Sequence, residues 1–171
     1  MSRAYAAVRR SLPWLAMIAG VWWIGGNLAP KANFAVGSKL PAFTAALTDG
    51  TRFDFAAATN QVTVLNFWAS YCEPCRMEAP LLSAAQARDV RVIGLSVEAM
   101  TANEVSERAR ALGMHYPIGI ADRALMTRFQ VQTLPTTYVI APDGVIVLSR
   151  VGAISESELG QALESARRRA G

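Results

Sequence analysis

The sequence predicts an α/β domain in which a mixed β-sheet is covered by helices on both faces, preceded by one apolar N-terminal helix. Three observations support this. Short apolar segments alternate with amphipathic ones along most of the 171 residues. The last two apolar segments flank Pro142-Asp143-Gly144, a strong hairpin signal, and an amphipathic segment follows them. Such alternation, ending in a hairpin and a helix, is typical of a mixed sheet between helices. A charge-free run near the N-terminus predicts the apolar helix.

Residues 11–30 carry no charge, and three arginines precede them within residues 1–10. As a helix this run would span about 30 Å, the thickness of one hydrocarbon core. Because arginines stay on the cytoplasmic side, residues 1–10 are predicted to be cytoplasmic, 11–30 to be a transmembrane anchor, and the remainder to be exported. A buried core helix is disfavoured because the run has no amphipathic periodicity. A cleaved signal peptide is the alternative, although Pro30 disfavours cleavage after Ala29.

Charge is distributed unevenly along the chain. The four basic residues of the first 31 positions equal the whole formal net charge of +4, and the remainder is balanced. This is not the basic surface that nucleic-acid binding requires, so no nucleic-acid partner is expected. After a linker at residues 31–36, residues 37–171 are predicted to form one domain, which is long enough to bury its own core.

The elements of this domain follow from apolar patterning and turn signals. Strands are predicted at Phe43–Leu47, Arg52–Phe55, Val62–Trp68, Arg91–Val97, Tyr116–Ile120, Thr136–Ile140 and Val145–Arg150. Helices are predicted at Arg76–Ala87, Thr101–Leu112, Ala121–Phe129 and from Ser155 onward. Thr101 and Ser155 each precede a glutamate by three residues, the pattern of a capping box. The first helix is expected to bury Met77, Leu81, Leu82 and Ala85.

The two cysteines of the chain, Cys72 and Cys75, lie where a predicted strand passes into a helix. Unpaired N–H groups and the dipole at a helix N-terminus stabilise a thiolate, the form that attacks disulfides. Pro74 is compatible with a first helical turn. We therefore predict a redox-active pair. A structural disulfide closing so short a loop would constrain the unfolded chain little. Zinc would need two further ligands, and the chain has one histidine, His115, which is predicted to be a surface residue.

The residues around the cysteines resemble a known family. Asn66-Phe67-Trp68-Ala69-Ser70-Tyr71-Cys72-Glu73-Pro74-Cys75-Arg76 is similar to the active-site signature of the thioredoxin superfamily, and Thr133-Leu134-Pro135-Thr136-Thr137 to its second signature. The N-terminal hairpin, the helix–strand insert and the anchor resemble the TlpA/ResA/DsbE (CcmG) branch, which comprises membrane-tethered thiol-disulfide oxidoreductases of the bacterial cell envelope. The resemblance implies a thioredoxin-like fold.

The resemblance also implies roles for individual residues. Cys72 would be the nucleophile and Cys75 the resolving cysteine. Pro135 would follow a cis peptide bond, in a loop that offers backbone groups to an extended substrate. Residues expected beside the substrate are Trp68, Glu73, Pro74, Leu134 and Pro135. For Trp68 ordinary core packing is the alternative.

Three glutamates near the cysteines have expected roles. Glu78 lies one helical turn after Cys75. The ResA-like subset has a glutamate at this position that accepts and donates protons. Thioredoxin instead uses a buried aspartate just before the Phe-Trp pair, and Asn66 occupies that position here. A buried Glu78 with a raised pKa would exchange a proton with Cys75. The alternative is an exposed glutamate favoured by the helix dipole. Glu73 should disfavour the Cys72 thiolate and so lower the reduction potential. By resemblance, Glu98 would line the mouth of the site.

Together these features predict a thiol-disulfide oxidoreductase anchored in the bacterial inner membrane and facing the periplasm. No metal is expected, and no cofactor beyond the redox-active disulfide Cys72–Cys75. By resemblance, the substrate is the haem-attachment cysteine pair of apocytochrome c. A DsbD- or CcdA-like membrane protein would supply electrons, because the periplasm is oxidising. The alternatives are a reductant or copper-delivery factor in oxidase copper-site assembly, although scattered methionines more often fill core space, and a general periplasmic oxidoreductase.

Overall fold

The computed structural model describes residues 34–56 and 60–169, together with Met17. The residues from 34 onward belong to one compact unit, Lys31–Gly171. The predicted anchor at 11–30 therefore lies outside the described residues, apart from Met17. Within the described ranges, no helix is both long enough and apolar enough to cross a bilayer.

The described ranges contain seven strands and four helices. The strands are β1 Thr44–Leu47, β2 Arg52–Asp54, β3 Thr63–Trp68, β4 Arg91–Ser96, β5 Ile118–Ile120, β6 Thr136–Ile140 and β7 Ile146–Val151. The helices are α1 Glu73–Gln86, α2 Ala102–Ala111, α3 Arg123–Phe129 and α4 Glu156–Arg168. One sheet has the strand order β2-β1-β5-β4-β3-β6-β7. Strand β3 pairs in parallel with β4 and antiparallel with β6, so the predicted mixed sheet is confirmed.

Strand β3 is buried on both faces because its side chains alternate between two apolar cores. Val64 and Trp68 belong to a core shared with α1, α2 and α4. Leu65 and Phe67 belong to the core on the other face, which includes residues of α3. The prediction that helices cover both faces of the sheet is therefore confirmed.

Phe129 of α3 is the centre of an aromatic cluster on the second face. Its ring centroid lies 4.9 Å from that of Phe67, 5.2 Å from Phe34, 5.3 Å from Phe43 and 5.8 Å from Tyr138. Most of these ring pairs are edge-to-face, an arrangement that aromatic rings favour. The cluster ties α3 and the segment before β1 to strands β3 and β6.

The predicted boundary signals of two helices and one hairpin are confirmed. Thr101 and Ser155 form capping boxes with the glutamates three residues on, at the starts of α2 and α4. Gly144, with a φ of 81°, completes the turn between the antiparallel strands β6 and β7. A positive φ is readily adopted by glycine and costs other residues strain.

Helix α1 differs from the prediction in two ways. It begins at Glu73, three residues earlier than predicted, because the Cys-Glu-Pro-Cys segment itself forms the first turn. Met77 is 65% exposed, so its predicted burial is wrong. The buried residues of the helix are Cys75, Glu78, Ala79, Leu82 and Ala85. Leu82 and Ala85 are buried as predicted and Leu81 is half-buried, so of the predicted face only Met77 lies in solvent.

Candidate active site

The two cysteines lie at the edge of the sheet where the parallel strands β3 and β4 end. Cys72 is the N-cap of α1, and its sulfur accepts a hydrogen bond from the backbone N–H of Cys75 at 3.3 Å. The sulfurs are joined in a disulfide with an S–S distance of 2.06 Å and a Cα–Cα distance of 5.3 Å. Cys72 is 8% exposed and Cys75 1%. A partner can therefore approach Cys72 more readily than Cys75.

Glu98, just after β4, holds the loop that carries Cys72. Its carboxylate accepts hydrogen bonds from the backbone N–H of Ser70 at 2.6 Å and from the Ser70 hydroxyl at 2.8 Å. Hydrogen bonds to a charged acceptor are about twice as strong as neutral ones. Because Trp68 and Ser96 are register partners at the ends of β3 and β4, Glu98 and the cysteine loop meet at the same sheet edge. Glu98 thus fixes the approach of the chain to Cys72.

The second signature forms a loop at the same edge. The Leu134–Pro135 peptide bond is cis, as the resemblance implied. Thr136, the first residue of β6, pairs with Phe67 near the end of β3, which brings the proline loop beside the cysteine loop. The Pro135 carbonyl accepts a hydrogen bond from the N–H of Gly152 at 2.8 Å. Leu134 is half-buried and Pro135 is buried.

The surface around Cys72 combines apolar side chains with a local ion pair. Tyr71 is 75% exposed and Met77 65%, so both present apolar groups to solvent within five residues of Cys72. Glu73 and Arg76 form an exposed ion pair with an N–O distance of 3.6 Å. An exposed pair of this kind contributes little to stability. This surface is suited to contact with a polypeptide.

Glu78 lies behind the cysteines in a chain of buried hydrogen bonds. It is 2% exposed. Its Oε1 accepts from Nδ2 of Asn66 at 2.7 Å, and its Oε2 accepts from the backbone N–H of Ile154 at 3.2 Å. Nδ2 of Asn66 also donates to Oγ1 of Thr137 at 2.9 Å. Burial raises the pKa of Glu78 from 4.5 to about 7, and the two hydrogen bonds oppose that rise.

Trp68, which was expected beside the substrate, is buried in the same apolar core as Cys72 and Cys75. It is 0% exposed, because it ends a strand that is buried on both faces, so its side chain belongs to the core. A Cβ added at Gly94 would lie 3.2 Å from Nε1 of Trp68 and 2.9 Å from Cε2 of Tyr116. The bare backbone of Gly94 thus makes room for both rings. The structure favours the core-packing alternative for Trp68.

The remaining predicted site residues converge on this edge of the sheet. Cys72, Glu73, Pro74, Cys75 and Glu78 share the first turns of α1, and Leu134 and Pro135 lie in the neighbouring loop. Sequence reasoning missed Ser70, Thr137 and Ile154. Asn66, a polar residue inside an apolar strand, signalled that a buried partner must exist. Within the described ranges, no group of three or more His, Cys, Asp or Glu side chains is arranged to hold a metal ion.

The chain is similar to several known proteins. The model of the AhpC/TSA family matches residues 36–149. Thiol-disulfide oxidoreductase ResA of Bacillus subtilis (strain 168) is 31% identical over 134 residues, covering 75% of this chain and 74% of the relative. A thiol:disulfide interchange protein of the thioredoxin family from Chlorobium tepidum TLS superposes with a TM-score of 0.66 at 24% identity, covering 81% of this chain and 99% of that chain.

A secreted disulfide oxidoreductase of Mycobacterium tuberculosis, homologous to Escherichia coli DsbE, superposes with a TM-score of 0.61 at 26% identity, covering 72% of this chain and 95% of that chain. These superpositions confirm the thioredoxin-like fold, and the disulfide at the start of α1 supplies the chemistry. The chain therefore belongs to the AhpC/TSA family of thioredoxin-like proteins, as a thiol-disulfide oxidoreductase of the ResA and DsbE type.

Proposed function

We propose that this enzyme is a membrane-anchored reductant of protein disulfides on the periplasmic side of the bacterial inner membrane, serving cytochrome c biogenesis. Its substrate is the haem-attachment cysteine pair of apocytochrome c, and a DsbD- or CcdA-like protein re-reduces it. One observation carries the proposal: the more exposed Cys72 stands at a helix start, with a buried carboxyl, Glu78, one turn behind Cys75. The substrate and the donor rest on the resemblance to the ResA and DsbE branch.

The proposed reaction is a pair of thiol-disulfide exchanges. The Cys72 thiolate attacks one sulfur of the substrate disulfide, and the other substrate sulfur leaves as a thiolate that takes up a proton. The Cys75 thiolate then attacks Sγ of Cys72, and the second substrate sulfur leaves in the same way. Two electrons pass to the substrate, and the enzyme keeps the Cys72–Cys75 disulfide found in this structure. The chemistry needs no further cofactor.

Glu78 serves the second exchange in this proposal. Cys75 must lose a proton before it attacks, and at 1% exposure it is poorly placed to give that proton to water. A carboxyl with a pKa of about 7 accepts and returns a proton near neutral pH. The loop of Leu134 and Pro135 receives the extended substrate, and Glu73 and Pro74 border the sulfur that is attacked.

The reduction potential of the Cys72–Cys75 pair is expected to be low. The carboxylate of Glu73 next to Cys72 disfavours the thiolate, and a less stabilised reduced form is a better reductant. We expect a potential nearer to the value of thioredoxin, about −270 mV, than to that of the oxidant DsbA, about −120 mV. Equilibration with glutathione or dithiothreitol buffers measures it. The variant Glu73→Gln should shift the potential upward, and a wild-type value close to that of DsbA would rule out the reductant role.

Replacing Cys75 by serine should trap the substrate. Without the resolving thiol, the first exchange stops at a mixed disulfide between Cys72 and its client. The variant is expressed in the native host, and the covalent adducts are identified by mass spectrometry. The client is expected to be an apocytochrome c joined through a haem-attachment cysteine.

Cys72→Ser serves as the matched control for trapping, because it keeps one cysteine but removes the attacking one. It should yield no such adduct. A dominant adduct with a copper-site protein of the oxidase would contradict the proposed substrate and leave the enzyme class intact. If Cys75→Ser forms no mixed disulfide at all, the assigned order of attack is wrong.

A further inference from the structure

Asn66 occupies a position from which it contacts Glu78 and a neighbouring strand at once. It lies on β3, with Gly94 of β4 and Thr137 of β6 as its register partners. Its side chain is 1% exposed and Thr137 is fully buried at 0%. A side-chain amide has two N–H groups, and here one donates to Glu78 at 2.7 Å and the other to Thr137 at 2.9 Å. Both donors are therefore committed.

The hydroxyl of Thr137 supplies an acceptor for the second N–H of Asn66 and so favours the amide orientation found in the structure. An amide free to rotate could present its carbonyl oxygen to Glu78, and two oxygen acceptors would then face each other. With Oγ1 of Thr137 accepting the second N–H, the donor end of Asn66 stays directed at Oε1 of Glu78. The polar pair thus keeps a hydrogen-bond donor on the carboxyl group in the interior, where an unpaired polar group is costly.

Neither Asn66 nor Thr137 can itself carry the exchanged proton. An amide and an aliphatic hydroxyl do not titrate in the working pH range, and the other donor to Glu78 is the backbone N–H of Ile154. Tyr116 is a further buried titratable side chain nearby: burial, and to a smaller extent the charge of Glu78, raise the pKa of Tyr116 above its ordinary value. It therefore stays protonated near neutral pH. Cys75 lies one helical turn before Glu78.

We propose that Asn66, held in place by Thr137, is a positioning residue that sets the protonation state of Glu78. Its N–H stabilises the ionised carboxylate against the cost of burial, so the carboxyl can release its proton. Without it, only the backbone N–H of Ile154 would oppose the effect of burial, and the carboxyl would stay protonated to a higher pH. The importance of this for thiol exchange rests on the proton role of Glu78 given above.

The test follows the titration of Glu78 in the full chain. The protein is labelled with glutamate enriched in ¹³C at the side-chain carboxyl, and the Glu78 signal is assigned by its loss in Glu78→Gln. The oxidised form is used, because its two sulfurs cannot titrate. In Asn66→Ala the midpoint should rise by about one pH unit, a roughly tenfold change in the dissociation constant. Thr137→Val, which preserves shape, should shift it in the same direction by less.

Two further variants separate positioning from general damage. Thr137→Ser restores the hydroxyl and should return the midpoint to the wild-type value. Thr63→Val removes a buried hydroxyl from β3 whose partner is the carbonyl of Gln61, and it should leave the midpoint unchanged. If Glu78 titrates as in the wild type in both Asn66→Ala and Thr137→Val, the inference is overturned.

The pH profile of thiol exchange is measured on the same variants in their reduced form. If the titration midpoint of Glu78 and the pH profile of thiol exchange shift together, the result supports both the positioning role of Asn66 and the proton role of Glu78. A midpoint that moves while the profile stays fixed supports the positioning role, and it overturns the part that the proposed function gives to Glu78.

Discussion

The oxidised protein should lose about 3 kcal/mol of stability between pH 4.5 and 7 because Glu78 ionises there, and Glu78→Gln should abolish this loss. The folded protein holds a proton on this carboxyl up to a pKa of about 7, whereas the unfolded chain releases it near 4.5. At about 1.4 kcal/mol per pH unit, that difference gives about 3 kcal/mol. The contribution is fully present below pH 4.5 and is lost as the pH rises to 7. Urea denaturation at a series of pH values measures it.

The quantity to compare in that experiment is the slope of the free energy of unfolding against pH between pH 4.5 and 7. Glu78→Gln cannot ionise, so its free energy of unfolding should fall less steeply over this interval than that of the wild type. Glu107→Gln, which removes an exposed glutamate of α2, should keep the wild-type slope. Identical slopes in Glu78→Gln and the wild type would mean that burial does not hold the proton on Glu78. The same variant tests catalysis: unchanged thiol pKa values and reduction rates would refute its proton role.

Truncating Phe129 to alanine should cost about 3–5 kcal/mol of stability, the usual range for removing a buried phenylalanine. Phe129 is 1% exposed and contacts four other aromatic rings on the face of the sheet opposite α1. Its loss leaves a cavity against Phe67 of β3, the strand that leads to Cys72. The free energy of unfolding of a domain of this size is only about 5–15 kcal/mol, so Phe129→Ala would remove a large share of it. Chemical denaturation measures the change.

Phe129→Leu is the matched variant for this prediction. It keeps most of the buried volume and loses the ring contacts, so its cost should be clearly smaller than that of Phe129→Ala. The reduction potential of the folded fraction should stay near the wild-type value in both variants, since Phe129 does not touch the cysteine site. A cost below about 1 kcal/mol for Phe129→Ala would show that the cluster repacks around the gap.

The parts of the fold that were predicted from sequence depend on local signals. A capping box, a Pro-Asp-Gly turn and an alternation of apolar segments are each contained within a few residues, and the structure confirms them. The signal that predicted the redox-active cysteine pair is equally local, because the chemistry depends on two residues at the start of one helix. Short-range patterns of this kind survive folding unchanged because the neighbours in sequence remain neighbours in space.

The contacts that complete the site could not be predicted, because they join distant segments. Asn66 meets Thr137 across 71 positions, and Glu78 meets Ile154 across 76. Such pairs depend on strand register and helix placement, which no local pattern determines. Burial of Glu78 was expected from its place one turn after Cys75, but its partners on β3 and before α4, Asn66 and Ile154, could not be named from the sequence.

Because side chains alternate along β3, the two faces of this strand have different roles. One side meets Phe129 and its neighbouring rings, while the other carries Asn66 toward Glu78 and the sulfurs. Groups that share no partner contribute almost independently to the energetics of a protein. Natural selection or protein engineering can therefore adjust the heat tolerance of this enzyme on the aromatic side while leaving its sulfur chemistry largely unchanged.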